Sequence, residues 1–186
     1  MNRMANYLTQ CLISNEIIGA ERKEEYCYGF EIALGKLLNY SALLLIAWYI
    51  DLILPSVIFM VFFCSLRRRT GGYHAKTELR CFVGTVGVYI FAAVVIVPFI
   101  IRNIYVGLVA FLISAIIILL LAPVNHPNLD LDDQELQQNK KLTKKVLVYQ
   151  AIGLGFALLL ELGAVYMAFA IAGVGVASIM ILLAKT

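Results

Sequence analysis

Charged residues are scarce in this sequence. Only 15% of its 186 residues are Asp, Glu, Lys or Arg, and 62% are hydrophobic, whereas a soluble domain carries roughly 25% charged and 45–50% apolar residues. The composition therefore argues against a water-soluble fold. The net charge of +3 gives no indication of a nucleic-acid partner.

Cysteine and histidine are also few. The chain has two histidines and four scattered cysteines, and no two cysteines have zinc-type CxxC spacing. This pattern predicts neither a disulfide framework nor a metal site, and no cofactor is expected. The first thirty residues mix charged side chains with only short apolar stretches, so we expect no cleavable signal peptide.

Long apolar runs are what the sequence does have. They approach the roughly 20 residues that a helix needs to cross a bilayer. We therefore predict an all-α integral membrane protein, one domain over 1–186, with about six transmembrane helices. The predicted spans are Glu31–Ile50, Leu52–Leu66, Phe82–Ile101, Asn103–Ala122, Val146–Tyr166 and Met167–Ala184.

The first two spans depend on a turn at Asp51 and Pro55. One long kinked crossing over Glu31–Leu66 is the alternative, but it would place the basic loops on opposite faces. Six spans instead put both termini and almost all Lys and Arg residues on one side, which the positive-inside rule makes the cytoplasm. The last two spans are rich in Gly and Ala, which suggests a homodimer through them.

Two polar regions flank or separate these spans. Residues 1–30 form an interfacial segment, in which Tyr7, Leu8, Cys11 and Leu12 fall on one helical face. Residues 123–145 are predicted to be a cytoplasmic loop that ends in a lysine cluster.

The segment 67–81 carries the densest group of functional side chains. It includes His74 and ends in Cys81, and Gly71-Gly72 permits a tight reversal or a close approach to another backbone. We predict the site here, in a cytoplasmic loop or one that re-enters the membrane.

A cysteine and a histidine in contact can act as nucleophile and base. On a straight helix, His74 and Cys81 would share a face but stand about 10.5 Å apart, so the pair requires a bend. Nearby positive charge would favour the Cys81 thiolate. Glu78 or Glu31 could orient the imidazole. Glu31 lies within a predicted span, where an ionisable group is costly and usually has a function.

The same residues also have ordinary explanations. A cysteine at the start of a span often packs as a small hydrophobe, and a histidine in a basic loop is often simply solvated. The arginine run is typical of an orientation signal and an anionic-lipid contact.

The string Arg69-Thr70-Gly71-Gly72-Tyr73-His74-Ala75, followed by Cys81, resembles the signature of the accessory gene regulator B (AgrB) family of bacterial membrane peptidases. The amphipathic start, Tyr28-Gly29-Phe30-Glu31 and Ala122-Pro123-Val124 are similar as well. The resemblance thus covers essentially the whole chain.

This resemblance implies a cysteine endopeptidase of the bacterial plasma membrane that cleaves a small AgrD-like precursor during the synthesis of a cyclic quorum-sensing peptide. It makes Cys81 the nucleophile and His74 the base, and it favours Glu31 over Glu78 as the third member. A cysteine or serine of the precursor would then open the acyl-enzyme thioester to give a thiolactone or lactone. The expected substrate-binding residues are Arg67, Arg68, Arg69, Gly71, Gly72, Lys140, Lys141, Lys144 and Lys145.

Two alternatives involve no covalent chemistry. A peptide transporter or membrane scaffold would need a polar pathway, yet the spans after Ile50 offer little beyond Asp51 and Glu161. A non-catalytic partner of a sensor protein would tolerate replacement of Cys81.

Overall fold

The computed structural model describes residues 2–71, 77–124 and 132–185. Of these described residues, 89% are helical and none is in a strand, which confirms the all-α prediction. The helices are α1 (Asn2–Ser14), α2 (Lys23–Tyr49), α3 (Ile53–Thr70), α4 (Glu78–Phe91), α5 (Val97–Arg102), α6 (Ile104–Leu121), α7 (Asp133–Leu159) and α8 (Ala164–Lys185), with a 3₁₀ turn at Ala20–Arg22.

Within the described ranges, five helical segments are long and apolar enough to cross a membrane. They are Ala20–Tyr49, Leu79–Arg102, Ile104–Leu121, Asp133–Leu159 and Ala164–Ala184. Helix α3 is the sixth long segment, and it carries three arginines in its last turn. The number of long helices thus agrees with the six predicted segments, and the chain is a multi-pass membrane protein.

Helix α8 is the centre of the bundle. Almost every residue from Met167 to Ser178 is buried, and the helix packs against α3, α5, α6 and α7. Gly173 lies at its closest approach to α3, where a Cβ atom would stand only 2.8 Å from the Phe59 carbonyl oxygen. Small residues allow such close backbone contact in membrane bundles, so glycine at this position sets the spacing of α3 and α8.

One span contains a proline and bends around it. A π turn, Ala92–Ile96, joins α4 to α5, and Pro98 follows directly in α5. Proline cannot donate a backbone hydrogen bond and its ring clashes with the preceding turn, which a widened turn accommodates. The predicted third span is therefore confirmed as one helical crossing with an internal irregularity.

The first two predicted spans are separate helices. Helix α2 ends at Tyr49, α3 begins at Ile53, and Asp51 between them has a positive φ of 57°. The turn is therefore where the sequence predicted it. However, α2 already begins at Lys23, so the prediction that residues 1–30 are all interfacial is wrong for the part after Arg22.

The predicted loop 123–145 is wrong for the part that begins at Asp133, because α7 starts there. The Asp132 carboxylate accepts a hydrogen bond from the Glu135 N–H (2.7 Å), and the Glu135 carboxylate accepts one from the Asp132 N–H (3.2 Å). This reciprocal capping box satisfies two donors that would otherwise lack partners at the helix start. The acidic residues that suggested a loop are therefore the signal for a helix, and the lysine cluster lies on α7.

The last turn also differs from the prediction. Helix α7 ends at Leu159 and α8 begins at Ala164, so the turn falls at 160–163 instead of between Tyr166 and Met167. Glu161 adopts a positive φ of 51° in this turn. Because it lies between α7 and α8, Glu161 is not inside a span, where the predicted bounds Val146–Tyr166 had placed it.

The predicted amphipathic N-terminal helix is confirmed as α1, but its buried face is different. Ala5 and Thr9 are fully buried where α1 packs on α2, whereas Tyr7 is exposed. The Thr9 hydroxyl donates to the Ala5 carbonyl (2.9 Å), which satisfies it without water. The threonine that seemed to belong to the polar face is therefore part of the contact.

We predict that Gly173→Ala destabilises the protein by about 1–3 kcal/mol, because the new methyl group would push α8 away from the α3 backbone. Gly153→Ala on α7 is the matched control, since no atom lies within 4 Å of its added Cβ and alanine has the higher helix propensity. Thermal unfolding in detergent measures both. A Gly173→Ala midpoint at or above that of Gly153→Ala would contradict the role assigned to this contact.

Candidate functional site

Cys81 lies in the first turn of α4. The Thr77 hydroxyl caps this helix by accepting a hydrogen bond from the Arg80 N–H (3.3 Å), and the Cys81 N–H donates to the Thr77 carbonyl (3.0 Å). The thiol is exposed. The partial positive charge of a helix N-terminus favours negative charge at this position.

Arg67 links the two helix ends that meet at the site. It lies in the last turn of α3 and donates a hydrogen bond to the Gly71 carbonyl. Its guanidinium is also close enough to the Cys81 thiol to interact with it electrostatically. The prediction of a loop from residue 67 is thus wrong for 67–70, which are helical, and for 78–81, which begin α4.

The end of α3 is joined to the end of α6 through their backbones. The Val124 N–H donates to the Thr70 carbonyl (2.9 Å), and Thr70 is fully buried. Gly71 has a φ of 67°, and a Cβ on it would stand 2.5 Å from the Val124 carbonyl oxygen. Only glycine fits this conformation and this contact, so Gly71 makes the close backbone approach that the sequence suggested, with Val124 as the partner.

Several predicted site residues fall where the structure gives no description. Gly72 and His74 belong to residues 72–76, which are outside the described residues. The side chain of Glu78 is also outside the described part of the structure. The His74–Cys81 pair therefore stays a prediction.

A small cavity lies one helical turn behind Cys81, between α2, α3, α4 and α8. It has a volume of about 40 Å³. Its lining residues are Tyr40, Leu43, Phe59, Met60, Phe63, Cys64, Thr85, Val88, Tyr89, Val176 and Met180.

Tyr40 on α2 and Thr85 on α4 both border the cavity. These two residues are therefore at about the same height along the two helices. Cys81 precedes Thr85 by four residues and Glu31 precedes Tyr40 by nine. At 1.5 Å per residue, Glu31 stands about 7–8 Å further toward the helix ends than Cys81. The half-buried Glu31 therefore lies at the same end of the bundle as Cys81, but it is not level with the thiol.

Lys36 is a site neighbour that the sequence reasoning missed. It lies four residues before Tyr40 and is therefore level with Cys81, and it interacts electrostatically with Cys64 on α3. The signal was present, since a lysine inside a predicted span is as unusual as the glutamate at position 31.

The other basic residues gather at the same end of the bundle. Arg68 and Arg69 lie in the last turn of α3, and Lys140, Lys141, Lys144 and Lys145 are exposed on α7. The Gln150 amide fixes the register of the two helices by donating to the Phe62 carbonyl (2.9 Å) and the Ser65 hydroxyl (3.0 Å). The first half of α7 therefore extends beside the α3 end, so both basic groups border one surface.

Comparisons with known proteins give one informative result. No curated protein and no solved structure matches the chain. A family model described as Accessory gene regulator B matches residues 1–183, which is essentially the whole chain. This family takes part in the processing of quorum-sensing peptides and acts proteolytically on AgrD-type precursors. The chain therefore belongs to the accessory gene regulator B (AgrB) family.

Proposed function

We propose that the protein is a membrane-embedded cysteine endopeptidase that cleaves an AgrD-like precursor through an acyl-enzyme thioester. The observation that carries this proposal is the setting of Cys81. Its thiol is exposed on the first turn of α4, within electrostatic range of Arg67. A helix N-terminus and a guanidinium together favour negative charge at the sulfur and at the carbonyl oxygen that it attacks.

His74 is the proposed base. It takes the proton of the Cys81 thiol as the sulfur bonds to the substrate carbonyl carbon, and it returns that proton to the leaving amine as the peptide bond breaks. The backbone join at Thr70, Gly71 and Val124 supports this role, because it anchors the chain just before the histidine.

The second step closes the ring. A thiol or hydroxyl of the precursor attacks the thioester carbon, a new thioester or ester bond forms, and the bond to Cys81 breaks with return of a proton to its sulfur. Water would hydrolyse the thioester instead, so exclusion of water protects it. Cys81 lies beside an apolar helix bundle, which supports the proposal that water is excluded from the thioester.

A transporter with no covalent chemistry is the less supported alternative. The central helix α8 is tightly packed, and the cavity between α2, α3, α4 and α8 has a volume of only about 40 Å³. A peptide would not pass through it without a large rearrangement.

Cys81→Ala is expected to lower precursor cleavage at least about 1,000-fold, because it removes the nucleophile. For His74→Ala the expected loss is about 100- to 10,000-fold, since proton transfer is lost. Cleavage is measured after co-expression with a precursor encoded beside the chain, at equal membrane levels, and a thioester-linked intermediate is trapped on the native protein. Normal processing by both variants would overturn the proposal.

We expect Glu31→Gln to slow cleavage at least about tenfold by removing the carboxylate that orients the imidazole. Glu78→Gln is the matched change at the rival carboxylate and should retain native activity. Rates are compared at equal amounts of membrane protein. The reverse pattern would assign the role to Glu78, and full activity of both variants would leave the site without a third member.

The exposed lysines on α7 are proposed to hold the acidic tail of the precursor by charge attraction. Replacing Lys140, Lys141, Lys144 and Lys145 with Gln should therefore weaken cleavage in low salt, and added salt should shrink the difference from the native protein. Arg102→Gln, at the opposite end of the bundle, is the control. Unchanged cleavage by the fourfold variant in low salt would remove this part of the proposal.

A further inference from the structure

We propose that the cavity between α2, α3, α4 and α8 receives the side chain on the acyl side of the bond that Cys81 cleaves, and that this side chain is aliphatic. This inference rests on the proposed peptidase function and adds a property of its substrate.

Two helices independently place the cavity behind the nucleophile. On α4, Thr85 and Val88 follow Cys81 by four and seven residues, so they lie on its face of the helix. On α3, Cys64 precedes Arg67 by three residues, and Arg67 interacts with Cys81. On both helices, the first residue that lines the cavity is therefore about one turn, or roughly 5–6 Å along the helix, from the level of Cys81.

The polar groups around the cavity already have partners. The Tyr40 hydroxyl and the Cys64 thiol lie close enough to interact with each other, the Tyr89 hydroxyl is hydrogen-bonded to Ser56, and the Thr85 hydroxyl donates to the Cys81 carbonyl (2.8 Å). A water molecule needs two to four polar partners to occupy a cavity stably. The space therefore suits an apolar group better than water or a charged side chain.

The size of the cavity restricts its occupant. A volume of about 40 Å³ is enough for a small group of atoms, and the flexible side chains of Met60 and Met180 can adjust the walls. Tyr40 is 37% exposed and forms the outer edge, where a side chain would enter. A small aliphatic side chain fits this volume directly, and one of the size of leucine fits when the two methionines move outward, whereas an indole ring is too large.

The test uses the full-length protein in lipid nanodiscs and the rate of acyl-enzyme formation in a single turnover. The substrates are three versions of one cleaved precursor, with Leu, Ala or Ser on the acyl side of the bond. We expect the native protein to react about tenfold or more faster with the Leu version than with the Ala version. The Ser version should be the slowest, because its hydroxyl would lack a partner in the cavity.

Val88→Leu adds a methylene group to the cavity, and Val83→Leu is the matched control on the exposed side of the same helix. Val88→Leu should lower the Leu-to-Ala rate ratio at least about fivefold, whereas Val83→Leu should preserve it. Val88→Ala enlarges the cavity and provides a second measurement. This variant should react faster than the native protein with a fourth version of the precursor, which has Phe on the acyl side of the bond. Every rate is compared at equal amounts of folded protein, which thermal unfolding in the same nanodiscs measures.

The outcomes separate the two proposals. If acylation depends on Cys81 but the Leu-to-Ala ratio is the same in the Val88 and Val83 variants, the subsite is wrong and the peptidase proposal stands. If precursor processing is the same in the native protein and in Cys81→Ala, the peptidase proposal is wrong and the subsite is wrong with it.

Discussion

The close contact between α3 and α8 is the constraint on which the rest of the structure depends. Helix α3 carries three arginines in its last turn, and Gly173 lets its backbone approach the buried centre of the bundle. Helices α2 and α7 pack against α3, α5 and α6 pack against α8, and α4 packs against α2. The position of α3 in turn determines where Arg67 and Cys64 lie, and both border the site.

The site is built mainly from helix ends instead of from a loop. The last turn of α3 provides Arg67, the first turn of α4 provides Cys81, and the end of α6 holds the chain at Gly71 through Val124. Helices thus fix the positions of Cys81 and Arg67, and a backbone hydrogen bond holds the chain just before the segment that contains His74. Positions on helices are held more accurately than positions on free loops, which is what a nucleophile and its base require.

The sequence predicted the type and number of the long helices well, because apolar runs and positive charge are strong signals in membrane proteins. It predicted their ends less well. The Asp132–Glu135 capping box resembled an acidic loop, and the helical nature of Arg67–Thr70 was hidden because charged residues were taken to end a span. The motif identified Cys81 and Gly71, but the contacts of Arg67 and Val124 depend on packing between distant segments, which no local pattern encodes.

The arrangement reconciles two requirements that oppose each other in a membrane. Binding an acidic peptide tail needs positive charge and access to water, whereas a thioester survives best where water is excluded. Cys81 lies at the boundary between these environments: the arginines of α3 and the lysines of α7 are on its outer side, and the apolar cavity begins one turn inward. For the proposed nucleophile, a position one turn deeper would be further from Arg67, and a position one turn further out would be further from the apolar cavity. The first turn of α4 therefore satisfies both requirements.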